Sequence, residues 1–169
     1  MAHGPRYAVK FRRRREGKTD YRRRLALLKG SKTRLVVRRT NTRTIVQFVD
    51  YDTRGDIVRA QAVSSELKKF GWESPHPNTP STYLVGLLAG RRAAKAGVSK
   101  AVLDVGLAQP VKGGGLFAAL KGAIDGGVDV PHGQDIFPAE DRLKGAHLKG
   151  GPVETFEKAR QQIMDVQDL

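Results

Sequence analysis

The sequence predicts an α/β fold, a mixed five-stranded sheet with helices, preceded by a basic extended N-terminal arm. Three observations predict it. The first is a break in charge. Residues 1–43 hold 16 of the 31 Lys and Arg but only two acids, Glu16 and Asp20, a net of 16 − 2 = +14. Residues 44–169 hold 15 bases and 15 acids and are neutral. The second is a change of period at residue 33, where an arginine-rich stretch gives way to short β-branched runs with turn residues between them. The third is that the later apolar runs alternate with helical patterns, the order of a sheet covered by helices. The chain therefore divides into an arm (1–32), an α/β core (33–149) and a C-terminal helical tail (150–169).

Each element follows from local sequence. Charge as dense as Arg12–Arg15 and Arg22–Arg24 opposes compaction, so the arm is expected to be largely unfolded until it meets a partner, apart from a short helix over Tyr21–Lys29. Thr33–Arg39, Thr44–Asp50 and Asp56–Val63 read as strands. Asn41-Thr42 and Asp52–Gly55 supply the turns of an antiparallel meander. Alternation sets Arg34 and Arg38 on one face of the first strand and Leu35 and Val37 on the other. Ser65–Phe70 is a short helix ended by Gly71. After a loop with three prolines (75–80), Thr79 as cap and Pro80 at the first position open a helix to about Ala96, striped by Leu84, Leu87 and Leu88. Ala101–Leu107 is a fourth, buried strand, Leu116–Asp125 a helix, and Val128–Pro131 a fifth strand at the sheet edge. Pro138–His147 and Val153–Gln167 are helices. Three meandering strands followed by two that alternate with helices give the order of a ribonuclease-H-like motif.

Composition excludes several classes. No cysteine is present, so no disulfide and no thiolate metal site can form. The longest dense apolar stretch, Tyr83–Ala89, is too short to span a bilayer. No apolar run follows the basic N-terminus as a secretory signal requires. A cytoplasmic protein is expected. The histidines at 3, 76, 132 and 147 lack metal-ligand spacing, so neither metal nor cofactor is expected. Lys112–Gly115 follows a strand and precedes a helix, where a phosphate loop would lie, but Leu116-Phe117 stand in place of the Lys-Ser/Thr pair of a nucleotide loop. Nuclease chemistry of ribonuclease-H type needs converging carboxylates, one of them on the first strand. That strand has none, and Asp104 stands alone on the fourth. No catalytic residue is assigned.

The arm carries the functional signal. Arginines outnumber lysines 12 to 4 in residues 1–43, and the guanidinium group forks onto phosphate. Tyr7, Phe11 and Tyr21 interleave with them as faces for unpaired bases. A membrane arm would need a broad apolar helix face, which Arg12–Arg15 do not leave. Arg34, Arg38, Arg39 and Arg43 could extend the cationic surface onto the sheet, or be ordinary exposed strand residues. Arg91, Arg92 and Lys95 suit the negative end of their helix equally well without a partner. Charge alone leaves room for a protein that compacts DNA, and the 112–115 loop for a nucleotide-binding enzyme.

Longer strings narrow the choice. GPRYAVKFRRRREGKTDYRRRLALLKGSKTRLVVRRTN (Gly4–Asn41) closely resembles the archaeal-type members of large-subunit ribosomal protein family eighteen, the binder of 5S ribosomal RNA. GWESPHPNTPSTYLVGLLAGRRAAKAG (Gly71–Gly97), AVLDVGLAQP (Ala101–Pro110), FAALKGAIDGGVDVPH (Phe117–His132) and RLKGAH (Arg142–His147) resemble the same family. The likeness runs from Gly4 to His147 and does not extend into Gly150–Leu169. It implies a non-enzymatic protein of translational-machinery-component fold. It also implies a place in the central protuberance of the large subunit, bound to 5S rRNA, to large-subunit rRNA and to neighbouring ribosomal proteins. Carried onto this chain, the RNA-binding residues are Arg6, Tyr7, Lys10, Arg12, Arg13, Arg14, Arg15, Lys18, Thr19, Tyr21, Arg22, Arg23 and Arg24, with Arg34 and Arg38 on the sheet.

Overall fold

A computed structural model describes residues 4–73, 77–148 and 152–166. Its sheet has four strands, β1 (Arg34–Arg39), β2 (Thr44–Asp50), β3 (Ile57–Val63) and β4 (Val102–Asp104), in the order β3-β2-β1-β4. The expected meander is present: β1 pairs antiparallel with β2, and β2 with β3. β4 returns beside β1 and runs parallel to it, Leu35 facing Leu103.

The helices are α1 (Arg12–Arg15), α2 (Tyr21–Lys29), α3 (Thr79–Lys95), α4 (Gly115–Asp125), α5 (Glu140–Lys144) and α6 (Val153–Asp165), with a 3₁₀ helix over Ser64–Phe70. Leu35 and Val37 of β1, Val46 and Phe48 of β2, and Ala60 and Ala62 of β3 point to one face and are buried. α3 packs against that face and is itself buried on most sides. α4 lies on α3, and α6 closes the far side by setting Phe156 between Trp72 and Tyr83.

Several expectations are corrected. The sheet has four strands rather than five among the described residues, and β4 is three residues long rather than seven. Its extension stops because Asp104 Oδ1 accepts the Gly106 N–H at 2.9 Å and Gly106 turns at φ +61°. Where the fifth strand was expected there is one parallel bridge, Lys100 to Asp129. The Ala101 N–H bonds to Asp129 O and the Asp129 N–H to Ser99 O, and Pro131, which has no N–H, cannot extend the ladder. The cap of α3 is Asn78, not Thr79: its Oδ1 accepts the Ser81 N–H at 2.9 Å. The helix expected over Tyr21–Lys29 is present as α2, capped by Asp20, which accepts from the Arg22 and Arg23 N–H groups. The segment before it is not extended throughout, since Arg12–Arg15 form a helical turn. The predicted 138–147 helix is reduced to α5. Pro75 and His76 of the proline loop, His3 and Gln167 lie outside the described residues.

Candidate nucleic-acid interface

Gly4 to Lys18 are exposed throughout. Four consecutive arginines on one helical turn project about 100° apart, so α1 fans guanidinium groups in all directions around its axis. Their internal partners are few. Arg12 Nε lies 3.7 Å from Glu16, Lys18 2.9 Å from the same carboxylate, and Arg23 3.5 Å from Asp20. Arg13 Nε donates to Thr19 Oγ1 at 2.9 Å. Exposed pairs of this kind are worth well under about 1 kcal/mol, so a phosphate can replace them. Among the described residues Arg6, Lys10, Arg14, Arg15 and Arg22 have no acidic partner. Phe11 is 75% exposed and meets the half-buried Tyr21 with ring centroids 5.6 Å apart, while Tyr7 is 50% exposed. This folds the arm back upon α2.

On the sheet the candidates separate. Arg34, expected on the cationic surface, is 2% exposed. Its Nη1 bonds to Asp104 Oδ2 at 3.2 Å, and its Nη2 lies 2.7 Å from Asp56 Oδ2. Asp56 is also held by Arg24, whose Nη2 reaches both carboxylate oxygens at 2.9 and 3.1 Å. Arg38 Nη2 bonds to Asp104 Oδ1 at 3.0 Å, and its Nη1 donates to the Asp104 carbonyl at 2.7 Å. A relay Arg24–Asp56–Arg34–Asp104–Arg38 therefore ties α2 to β1 and β4. Burial alone would raise the Asp104 carboxyl. Hydrogen bonds from Arg38, Gly106 and Arg34, with the Arg38 charge, outweigh it and hold the group below the ordinary carboxylate range. Asp56 is lowered in the same way, by Arg34 and Arg24 against its own desolvation. Arg39 and Arg43 are exposed. Arg39 Nη2 donates to Pro77 O at 3.0 Å, and the Arg43 N–H bonds to Thr40 Oγ1 in the β1–β2 turn.

Between the arm and the sheet lies an open cleft of about 730 Å³. Arg13, Lys18 and Arg23 line one wall, Arg38 and Arg39 the other, and Leu27, Leu103, Leu107 and Pro110 contribute apolar surface. Sequence reasoning found its cations but not its floor. The only available signal was Val105–Pro110, an apolar loop directly after a strand.

Of the remaining candidates, Gly113, Arg91, Arg92 and His132 already make bonds within the fold. The Gly113 N–H bonds to Ile136 O at 2.9 Å. Arg91 donates to Met164 O, and Arg92 to Gln61 O while pairing with Glu66 at 2.7 Å. His132 Nδ1 is 2.8 Å from Val130 O, and its ring meets Phe137. Among the described residues no three His, Asp or Glu side chains converge as a metal site requires, and no helix is long and apolar enough to cross a membrane.

Residues 5–99 and 93–133 match the model of a family described as ribosomal large subunit proteins 60S L5 and 50S L18. Large ribosomal subunit protein uL18 of Korarchaeum cryptofilum is 57% identical over 148 residues, covering 88% of this chain and 76% of the relative. The protein of the same name from Methanoregula boonei is 52% identical over 148 residues, covering 88% and 85%. An exposed, arginine-rich N-terminal segment ahead of a remainder (44–169) without net charge thus coincides with sequence identity along most of the chain, and the chain belongs to this family of structural, non-enzymatic large-subunit ribosomal proteins.

Proposed function

We propose that this protein binds 5S rRNA and helps attach it to large-subunit rRNA in the central protuberance, beside neighbouring ribosomal proteins. The observation that carries the reading is the segregation of charge: 16 cations against two acids in residues 1–43, on a remainder that sums to zero. Fixing a backbone costs about 1–2 kcal/mol per residue. Arginine–phosphate pairing and counterion release offset that cost along Gly4–Lys18, whereas α2 is already held to the core by Arg24. The contact residues in this reading are those of the arm from Arg6 to Arg23, with Arg39 and Arg43 on the sheet. Arg34 is withheld by its two carboxylates, and Arg24, paired with Asp56, and Arg38 contribute only their exposed edges. The sheet is read as a ribonuclease-H-like motif. The order β3-β2-β1-β4, with β4 parallel to β1 and the Lys100–Asp129 bridge where a fifth strand would lie, supports this.

Competition at physiological salt tests the function. A complex with labelled 5S rRNA should survive an excess of duplex DNA that removes nonspecific binders. Displacement by DNA as readily as by unlabelled 5S rRNA would favour a general polyanion binder instead.

A further inference from the structure

We infer that the cleft between α2 and the β4 loop is a slot for an unpaired RNA nucleotide, base inward and phosphate at the rim. The inference rests on the RNA-binding reading and adds a second mode of contact to it. Phosphate pairing by α1 demands no particular RNA geometry. The cleft is different, because it combines two surfaces that a duplex backbone cannot use together.

Its interior is aliphatic. Leu27 from α2, Leu103 from β4, and Leu107 and Pro110 from the following loop face a common space of about 730 Å³. Among the described residues Leu107 remains 51% exposed. Its rim is cationic: six lining side chains are Lys or Arg and two are acidic. One of the acids, Asp104, is already matched by Arg34 and Arg38. Arg13 and Arg39, on opposite walls, have no acidic partner among the described residues, and so remain available to a phosphate. An apolar floor under a cationic rim complements a base attached to its phosphate. A base within a paired stem cannot enter, since its faces are covered by its neighbours. The floor and its α2 side are formed in advance, because Arg24 and Asp56 pin α2 against β1 and the Asp104–Gly106 bond fixes the loop. Arg13 and Lys18 complete the rim as Gly4–Lys18 order on RNA.

Leu107→Lys separates this slot from plain electrostatics, because it adds a positive charge while removing apolar floor. The full chain and the variant are titrated with three RNAs: 5S rRNA, a single-stranded oligonucleotide of about ten nucleotides, and the same sequence fully paired. The slot requires that the variant lose about tenfold in affinity for the single strand while its affinity for the duplex holds or rises. Equal or tighter binding of the single strand by the variant overturns the inference. So does failure of the unaltered protein to hold the single strand while it still holds 5S rRNA. Failure to hold 5S rRNA at all would instead remove the RNA-binding reading beneath. Leu107→Ala reads the same contrast at a smaller amplitude if the lysine disturbs the loop.

Discussion

Arg34 shows how burial changes what a charged residue can do. A guanidinium 2% exposed cannot meet solvent or RNA, so its charge must be answered within the fold. Asp104 and Asp56 answer it. Such a pair is weak evidence for stability in itself, yet stripping one partner from a buried charge costs about 3–5 kcal/mol. Loss of Asp104 leaves Arg34 with Asp56 alone, at the lower end of that range. Asp104→Ala should therefore lower unfolding free energy by about 3 kcal/mol in urea titration, and should loosen Arg38 as well. The same carboxylates set the acid response. Asp104, Asp56 and Asp50 are all lowered in the folded state, so the unfolded chain binds more protons as acid is added. Their contribution is complete above the ordinary carboxylate value of about 4 and is lost as pH falls through the lower folded values. Stability measured between neutrality and pH 4 should be nearly flat, then drop, and the drop should be shallower in Asp104→Ala. A variant as stable as the parent would remove the relay as a structural device. Strand alternation rightly placed Arg34 opposite Leu35. It carried no sign that Asp104, 70 residues away, would close over that face. The exposed arginines of the arm, by contrast, were legible because nothing distant bears on them.

The pairing of α3 with α4 depends on glycine at four positions. A Cβ on Gly86 would collide with the Ala119 carbonyl, and one on Gly122 with that of Tyr83. At Gly90 it would lie 2.6 Å from Ala123 O, and at Gly126 2.9 Å from the Arg91 nitrogen. Here helix propensity and packing oppose each other. Alanine in place of glycine favours a helix by about 1 kcal/mol, but the obstacle is backbone, which cannot swing aside as a side chain can. Overpacking costs of about 1–3 kcal/mol are usual even where side chains give way. Packing should win, and Gly86→Ala should destabilise the protein by about 2 kcal/mol with a lower thermal midpoint. Stabilisation by that substitution would mean the two helices sit further apart. Asn78, Pro80 and the leucine stripe made α3 readable, because caps and periodicity are local. The glycine seam was not readable, since Gly86 and Gly90 look like weak points until a second helix lies across them. β4 was overextended for a similar reason: Val105 and Leu107 have strand composition, but the Asp104–Gly106 bond turns the backbone away.

At the scale of the whole molecule, the question is how far the cationic segment can be separated from the globule that carries it. Residues 1–32 formed one arm by composition, but two contacts argue for a boundary inside it. Gly4–Lys18 touch the core nowhere that burial records, whereas α2 reaches Asp56 through Arg24 and half-buries Tyr21, Leu27 and Leu28. Two deletions distinguish the parts. Loss of residues 1–18 removes seven cations, Arg6, Lys10, Arg12–Arg15 and Lys18, all of them exposed, and should change stability by less than about 0.5 kcal/mol. Loss of residues 1–32 also removes the Arg24 link and the α2 leucines, and should cost about 1–2 kcal/mol while unfolding stays cooperative. Binding should respond in the opposite proportion. If the intact protein neutralises about eight phosphates of 5S rRNA, log K falls against log salt with a slope of roughly −6 to −7. The shorter deletion should bring that slope to about −3, and the further step to residue 32 should add less. An unchanged slope after loss of residues 1–18 would put the phosphate contacts on the core. Loss of a cooperative transition after removal of 1–32 would make α2 part of the core itself.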